Sequence, residues 1–66
     1  MQISVNGEPR EFAEGATVAQ LLEALELAGK YVAVEVNLEL VPRGRHAAHR
    51  LAEGDRLEIV TFVGGG

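Results

Sequence analysis

The stretch Gly15-Ala16-Thr17-Val18-Ala19-Gln20-Leu21-Leu22-Glu23-Ala24-Leu25-Glu26-Leu27-Ala28-Gly29 decides how this chain can fold. Thr17 followed three residues later by Gln20 is a capping box, in which each side chain satisfies a backbone N–H of the other at a helix start. Val18, Leu21, Leu22 and Leu25 recur at i, i+3, i+4 and i+7, which is one buried helical stripe. Gln20, Glu23 and Glu26 fall off that stripe. Gly29 is a natural residue for the left-handed position that closes a helix. The pattern predicts a helix over 18–28.

The flanking segments read as strands. Met1, Ile3 and Val5 alternate with polar residues, and Asn6-Gly7 is the strongest short hairpin signal because both residues tolerate positive φ. A short return strand is expected over 10–13, with Phe12 toward the core and Pro9 suited to a turn or a sheet edge. After the helix, Val32, Val34 and Val36 alternate with Ala33 and Glu35. Asn37-Leu38-Glu39 reads as a turn, Leu40-Val41 as a brief strand stopped by Pro42, and 43–50 as polar and irregular with room for one helical turn. Glu53-Gly54-Asp55 is a further turn, and 56–63 the last strand, with Leu57 and Ile59 inward. The helix is the only crossover long enough to let a later strand run parallel to an earlier one. The order β-β-α-β-β-β therefore predicts an α+β, ubiquitin-like β-grasp domain over 1–63. One helix packs on one face of a mixed sheet of four to five strands, and the last strand lies beside the first.

Size and composition narrow the chemistry. A chain of 66 residues is one small domain, and without cysteine it has neither a disulfide framework nor a cysteine zinc site. Hydrophobic residues at 47% supply a conventional core. The formal charge of −4 argues against nucleic acid, whose binders carry basic patches. Three of the six bases, Arg43, Arg45 and Arg50, lie in the 43–50 stretch, so the remainder sets three bases against ten acids, or −7. Arg43 and Arg45 are read either as contacts for acids on a partner or as solvated charges. His46 and His49 make at most half a zinc site and are read as surface histidines. With neither a signal-peptide pattern nor an apolar run of membrane-spanning length, the chain is expected to be soluble and cytoplasmic.

The terminal Val63-Gly64-Gly65-Gly66 carries the functional information. At an average glycine usage of about 7%, three in a row at a given end arise by chance on the order of once in a few thousand chains. Glycines weaken a strand, so folding does not call for them. A side-chain-free end over 64–66 is expected to be flexible, to thread a narrow channel and to present an unhindered carboxylate. Ser4 is the only serine and has no base suggested nearby, and there is no P-loop. Any chemistry on the terminal carboxylate then belongs to partner enzymes, and the chain is not expected to be an enzyme.

The opening MQISVNGEP, the capped GATVAQLLEAL, the segment VAVEVNLELVPR and the ending VGGG together resemble the ThiS family of thiamine-biosynthesis sulfur carriers, over the whole chain. The resemblance implies that a ThiF-like adenylyltransferase, using ATP and magnesium, activates Gly66 as an acyl-adenylate. A cysteine-derived persulfide, supplied through a cysteine desulfurase or sulfurtransferase, then converts it to a thiocarboxylate (a 1-thioglycine). A ThiG-like thiazole synthase accepts that sulfur. Gly65 and Gly66 are the functional pair by this likeness. Gly64 is an addition, since the family requires only two terminal glycines. The chain itself is expected to bind no cofactor or metal, nucleic acid or membrane, and to be monomeric when free. Val60 and Phe62 face away from Leu57 and Ile59 and are expected to contact the adenylyltransferase, by analogy with the sheet-face docking of ubiquitin-like proteins. Three alternatives stay open: a ubiquitin-like modifier joined to lysines, a plain β-grasp binding module with an incidental tail, and a sulfur carrier for molybdopterin or cysteine synthesis.

Overall fold

A computed structural model of the chain describes residues 1–62; the expected end of the last strand at Val63 and the glycines 64–66 lie outside them. Five strands form one mixed sheet: β1 (Gln2–Val5), β2 (Glu8–Glu11), β3 (Val32–Val36), β4 (Glu39–Val41) and β5 (Arg56–Thr61). The spatial order is β2-β1-β5-β3-β4, with β1 and β5 parallel and the other pairs antiparallel. The single α-helix, α1 (Val18–Ala24), covers one face. This is the β-grasp arrangement, with the last strand central. No helix among the described residues is long and apolar enough to cross a membrane.

The core is the inward parity of each strand against the helical stripe. Val18, Leu21 and Leu22 of α1 pack with Ile3, Val34, Val36, Leu57 and Ile59 of the sheet. Val18, Leu21 and Val34 are wholly buried, and each such side chain contributes about 1.5–3 kcal/mol by leaving water. The capping box forms as read: Thr17 Oγ1 accepts from the Gln20 N–H, and the Gln20 side chain accepts from the Thr17 N–H.

The helix ends four residues earlier than its apolar pattern suggests. Its left-handed closing residue is Glu26 (φ 61°), and Gly29 is not the cap. The Leu27 N–H donates to Leu22 O at 2.8 Å and the Glu26 N–H to Glu23 O at 3.0 Å, the paired bonds of a Schellman closure. The cause is Leu27. At about 100° per residue it would fall opposite Val18 on a continuing helix, in solvent. Stopping at Leu25 turns Leu27 back onto the core, where both leucines are half-buried.

Residues 43–50 are less irregular and less superficial than their polarity implies. A 3₁₀ turn (Arg43–Arg45) leads into carbonyls that cap the helix: His49 O accepts from the Val18 N–H and His46 O from the Ala19 N–H. His46 is not a surface residue; it is buried, with Nε2 3.0 Å from Val41 O. A first helical turn needs partners for its free N–H groups, and this loop supplies two of them, which draws His46 inside. Leu51, just beyond, joins the core. Strand β2 begins two residues before the expected start and takes in Pro9. That is tolerated because β2 is an edge, where a missing N–H breaks no ladder.

Both two-residue hairpins place their central residues at positive φ: Asn6 and Gly7 at 51° and 85°, Asn37 and Leu38 at 52° and 70°. Glycine is at ease there, whereas a leucine carries a steric cost. Leu38 recovers nothing by packing, since it is 88% exposed. Leu38→Gly is therefore expected to stabilise the fold by about 0.5–1 kcal/mol, raising Tm by roughly 3–6 °C. A lower Tm in thermal denaturation would show that Leu38 makes a contact worth more than its strain.

Candidate functional site

The site is built around the C-terminal end of β5, the strand that leads into the terminal glycines. On one side β5 runs antiparallel to β3 through five residue pairs, from Val36↔Leu57 to Val32↔Thr61. On the other side β1 pairs with it only at Ser4↔Arg56 and Val5↔Leu57, because the chain then turns at Asn6. Two asparagines complete the grip. The Asn6 side chain accepts from the Ile59 N–H at 2.7 Å and donates to Ile59 O at 3.1 Å, extending the ladder with an amide in place of backbone. From the opposite side, Asn37 Oδ1 accepts from the Arg56 N–H at 3.0 Å, and Asn37 Nδ2 donates to Asp55 Oδ1 at 2.9 Å.

Val60 and Phe62 lie where strand alternation puts them, exposed at 54% and 60% on the sheet face opposite α1. Val60 pairs with Ala33, and the Phe62 N–H donates to Tyr31 O at 2.9 Å, so the bonding toward the β3 side includes residue 62. Phe62 does not fold over the core edge. Tyr31 and Leu40 are also exposed, at 69% and 64%, and sequence reading passed over both. The available signal was parity: in β3 and β4 only Val34, Val36 and Val41 are fully inward, which leaves Leu40 across from Glu35. The Arg43 guanidinium stands 5.6 Å from the Tyr31 ring centroid, a cation–π contact at the same end of the sheet. Among the described residues none of Arg43, Arg45 and Arg50 is ion-paired. Gly64, Gly65 and Gly66, the expected tail and sulfur-carrying residues, lie outside the described residues. Among those described, no three His, Asp or Glu side chains gather as a metal site.

The residues and geometry thus set a braced central strand and an exposed apolar strip ahead of a glycine-only end. Residues 3–66 match the ThiS family. The chain belongs to the ThiS family. It is 35% identical over 66 residues to the sulfur carrier protein ThiS of Escherichia coli (strain K12), with all of both chains covered. It superposes on the crystal structure of the thiamine biosynthesis protein ThiS from Geobacter metallireducens with a TM-score of 0.84 and 40% identity, again covering both chains fully. It is also 47% identical over 66 residues to a thiazole synthase of Paramagnetospirillum magneticum. The chain spans about a fifth of that protein, and the same share of a second thiazole synthase, from Magnetococcus marinus.

Removing the Asn6 amide leaves the Ile59 N–H and C=O without their partners. Asn6→Ala is expected to cost about 2 kcal/mol, roughly 8–16 °C in Tm, with Asn6→Asp intermediate because it keeps the acceptor. An unchanged melting curve for Asn6→Ala would mean that water replaces the amide at no cost.

Proposed function

We propose that this ThiS-family chain is a sulfur carrier of thiamine biosynthesis and that the Gly66 carboxylate is the group acted upon. The observation that carries the reading is the end-to-end likeness to the Escherichia coli sulfur carrier ThiS, joined to a terminus made only of glycine. A carboxylate is a poor acyl donor. On this reading a partner adenylyltransferase, with ATP and magnesium, lets a Gly66 carboxylate oxygen attack the α-phosphorus, and pyrophosphate leaves. The resulting mixed anhydride is open to a persulfide sulfur, from a cysteine desulfurase or sulfurtransferase, which displaces AMP. Cleavage of the S–S bond by a thiol then leaves the thiocarboxylate. A thiazole synthase is the acceptor, supported by the recurrence of this domain within longer proteins of that name.

The chain's own contribution is presentation and recognition. Phe62 and Val60 supply apolar contact close to the reacting end, Tyr31 and Arg43 extend it, and Gly64, Gly65 and Gly66 offer no side chain to obstruct entry into an active site. The catalytic groups belong to the partners.

Intact mass spectrometry after incubation with ATP, magnesium, the adenylyltransferase and a sulfur donor tests this directly. The expected products are first an added AMP and then exchange of one terminal oxygen for sulfur, both lost on deletion of Gly65 and Gly66 together, which leaves a single terminal glycine. Unmodified chain beside an adenylyltransferase proven active would refute the reading, and recovery as lysine conjugates would favour a protein modifier. Phe62→Ala is expected to weaken the adenylyltransferase complex by about 1–2 kcal/mol, roughly 5–30-fold in Kd, with Tm within a few degrees of the parent. Unchanged Kd with a large fall in Tm would assign Phe62 to the fold instead.

A further inference from the structure

The β1 side of β5 is covered only part of the way. In the β3–β5 ladder the hydrogen-bonded pairs alternate. Asn37 N–H donates to Arg56 O and Phe62 N–H to Tyr31 O, so residues 56, 58, 60 and 62 turn their main chain toward β3. Residues 57, 59 and 61 therefore turn theirs toward β1. Leu57 O is met by the Asn6 N–H, and Ile59 is met on both groups by the Asn6 side chain. Thr61 comes next, and among the described residues no strand meets it there, because β1 ended at Val5. By that alternation its N–H and C=O lie on the β1 side, where Thr61 lines an open notch of about 310 Å³. Half-buried Leu25 and Leu27 line the notch on the helix side, and Glu8 and Arg10 rim it.

An uncovered strand edge is a template for another strand. Here it is short, and it lies immediately before the segment that carries the reactive end. Resting on the carrier reading above, we propose that the adenylyltransferase lays an extended segment of its own chain along this edge. The segment would bond to the Thr61 N–H and C=O and extend the sheet in line with β1. Strand addition draws affinity from main-chain bonds and selectivity from alternate side chains. The notch fits that mode: an apolar side chain of the incoming segment sits on Leu25 and Leu27, and neighbouring charges meet Glu8 and Arg10. This contact differs from the apolar sheet face at Val60 and Phe62, since it is made in the plane of the sheet. Together the two would fix both the height and the direction of the chain end at the enzyme.

Amide hydrogen exchange on the full chain, read residue by residue by NMR, tests this with the purified adenylyltransferase as probe. In the free chain the Thr61 amide is expected to exchange at least about tenfold faster than those of Ile59 and Phe62, which have partners. At saturating enzyme it should slow by about tenfold or more, with the Phe62 amide changing far less because it already faces β3. Thr61→Pro supplies the second arm. A proline removes an N–H that has no partner among the described residues, so Tm should stay within a few degrees, while Kd for the enzyme should rise by about tenfold or more. A Thr61 amide protected already in the free chain, or unaffected by the enzyme, overturns the proposal. So does a folded Thr61→Pro chain that binds as the parent does. Protection that grows with chain concentration in the absence of enzyme would instead assign the edge to a second copy. If the parent chain is never adenylylated, the carrier reading fails; if it is adenylylated while Thr61 stays unprotected, only this inference fails.

Discussion

Everything in this fold depends on how β5 is held. A strand in the middle of a sheet normally draws its hydrogen bonds from full-length neighbours on both sides. Strand β1 is too short to serve as one, and its chain must turn at Asn6 to form the hairpin with β2. The Asn6 amide resolves the conflict, because one planar group both donates to and accepts from Ile59 as a peptide unit would. Asn37 does related work at the other end, reaching Arg56 and Asp55 from the turn after β3. Both residues sit in the left-handed region that asparagine tolerates, so one choice of residue serves the turn and the brace together. The parallel β1–β5 pairing closes the longest loop in the domain, and the capped helix between them makes that closure possible.

The helix is itself held by a segment remote from it in sequence. Its first N–H groups are taken up by His49 O, His46 O and Thr17 Oγ1. Seven residues make a helix too short to persist alone, so its existence depends on tertiary contacts. His46 links three elements: its carbonyl caps α1, its ring binds the end of β4, and its backbone belongs to the loop between β4 and β5. A stretch that reads as polar and featureless is thereby a structural joint, and its arginines are left on the outside.

Legibility followed the range of the interactions involved. The capping box, the Asn6-Gly7 hairpin and the alternation of Val32, Val34 and Val36 depend on neighbours a few residues apart, and they could be read directly. The central placement of the last strand followed from the single available crossover. The early helix end could not be read from Gly29, because glycine is only the easiest left-handed residue. The burial gained by returning Leu27 to the core outweighed the modest cost of Glu26 at φ 61°. The inward turn of His46 was hidden for a different reason. It depends on Val18 and Ala19 needing acceptors, a demand that becomes visible only in three dimensions. Tyr31 and Leu40 escaped notice because an isolated exposed apolar residue is ordinary, and the strip becomes evident only when β3, β4 and β5 are laid side by side.

That strip also explains the charge of the molecule. A domain of this size exposing Tyr31, Leu40, Val60 and Phe62 on neighbouring strands would tend to associate with itself unless something opposes contact between copies. A net charge of −4 does so, and the acids are not excluded from the strip's surroundings: Glu35 and Glu58 sit directly opposite each other on β3 and β5. The like charges cost little while solvated, and they favour a partner that brings bases to the rim of an apolar pocket. On the carrier reading this balance has a further use. A protein that must visit an activating enzyme, a sulfur source and an acceptor cannot bind any of them tightly, since slow release would stall the next transfer. A small apolar strip inside an acidic rim gives contact of limited area and rapid, charge-steered encounter, and it leaves selectivity to features nearer the chain end.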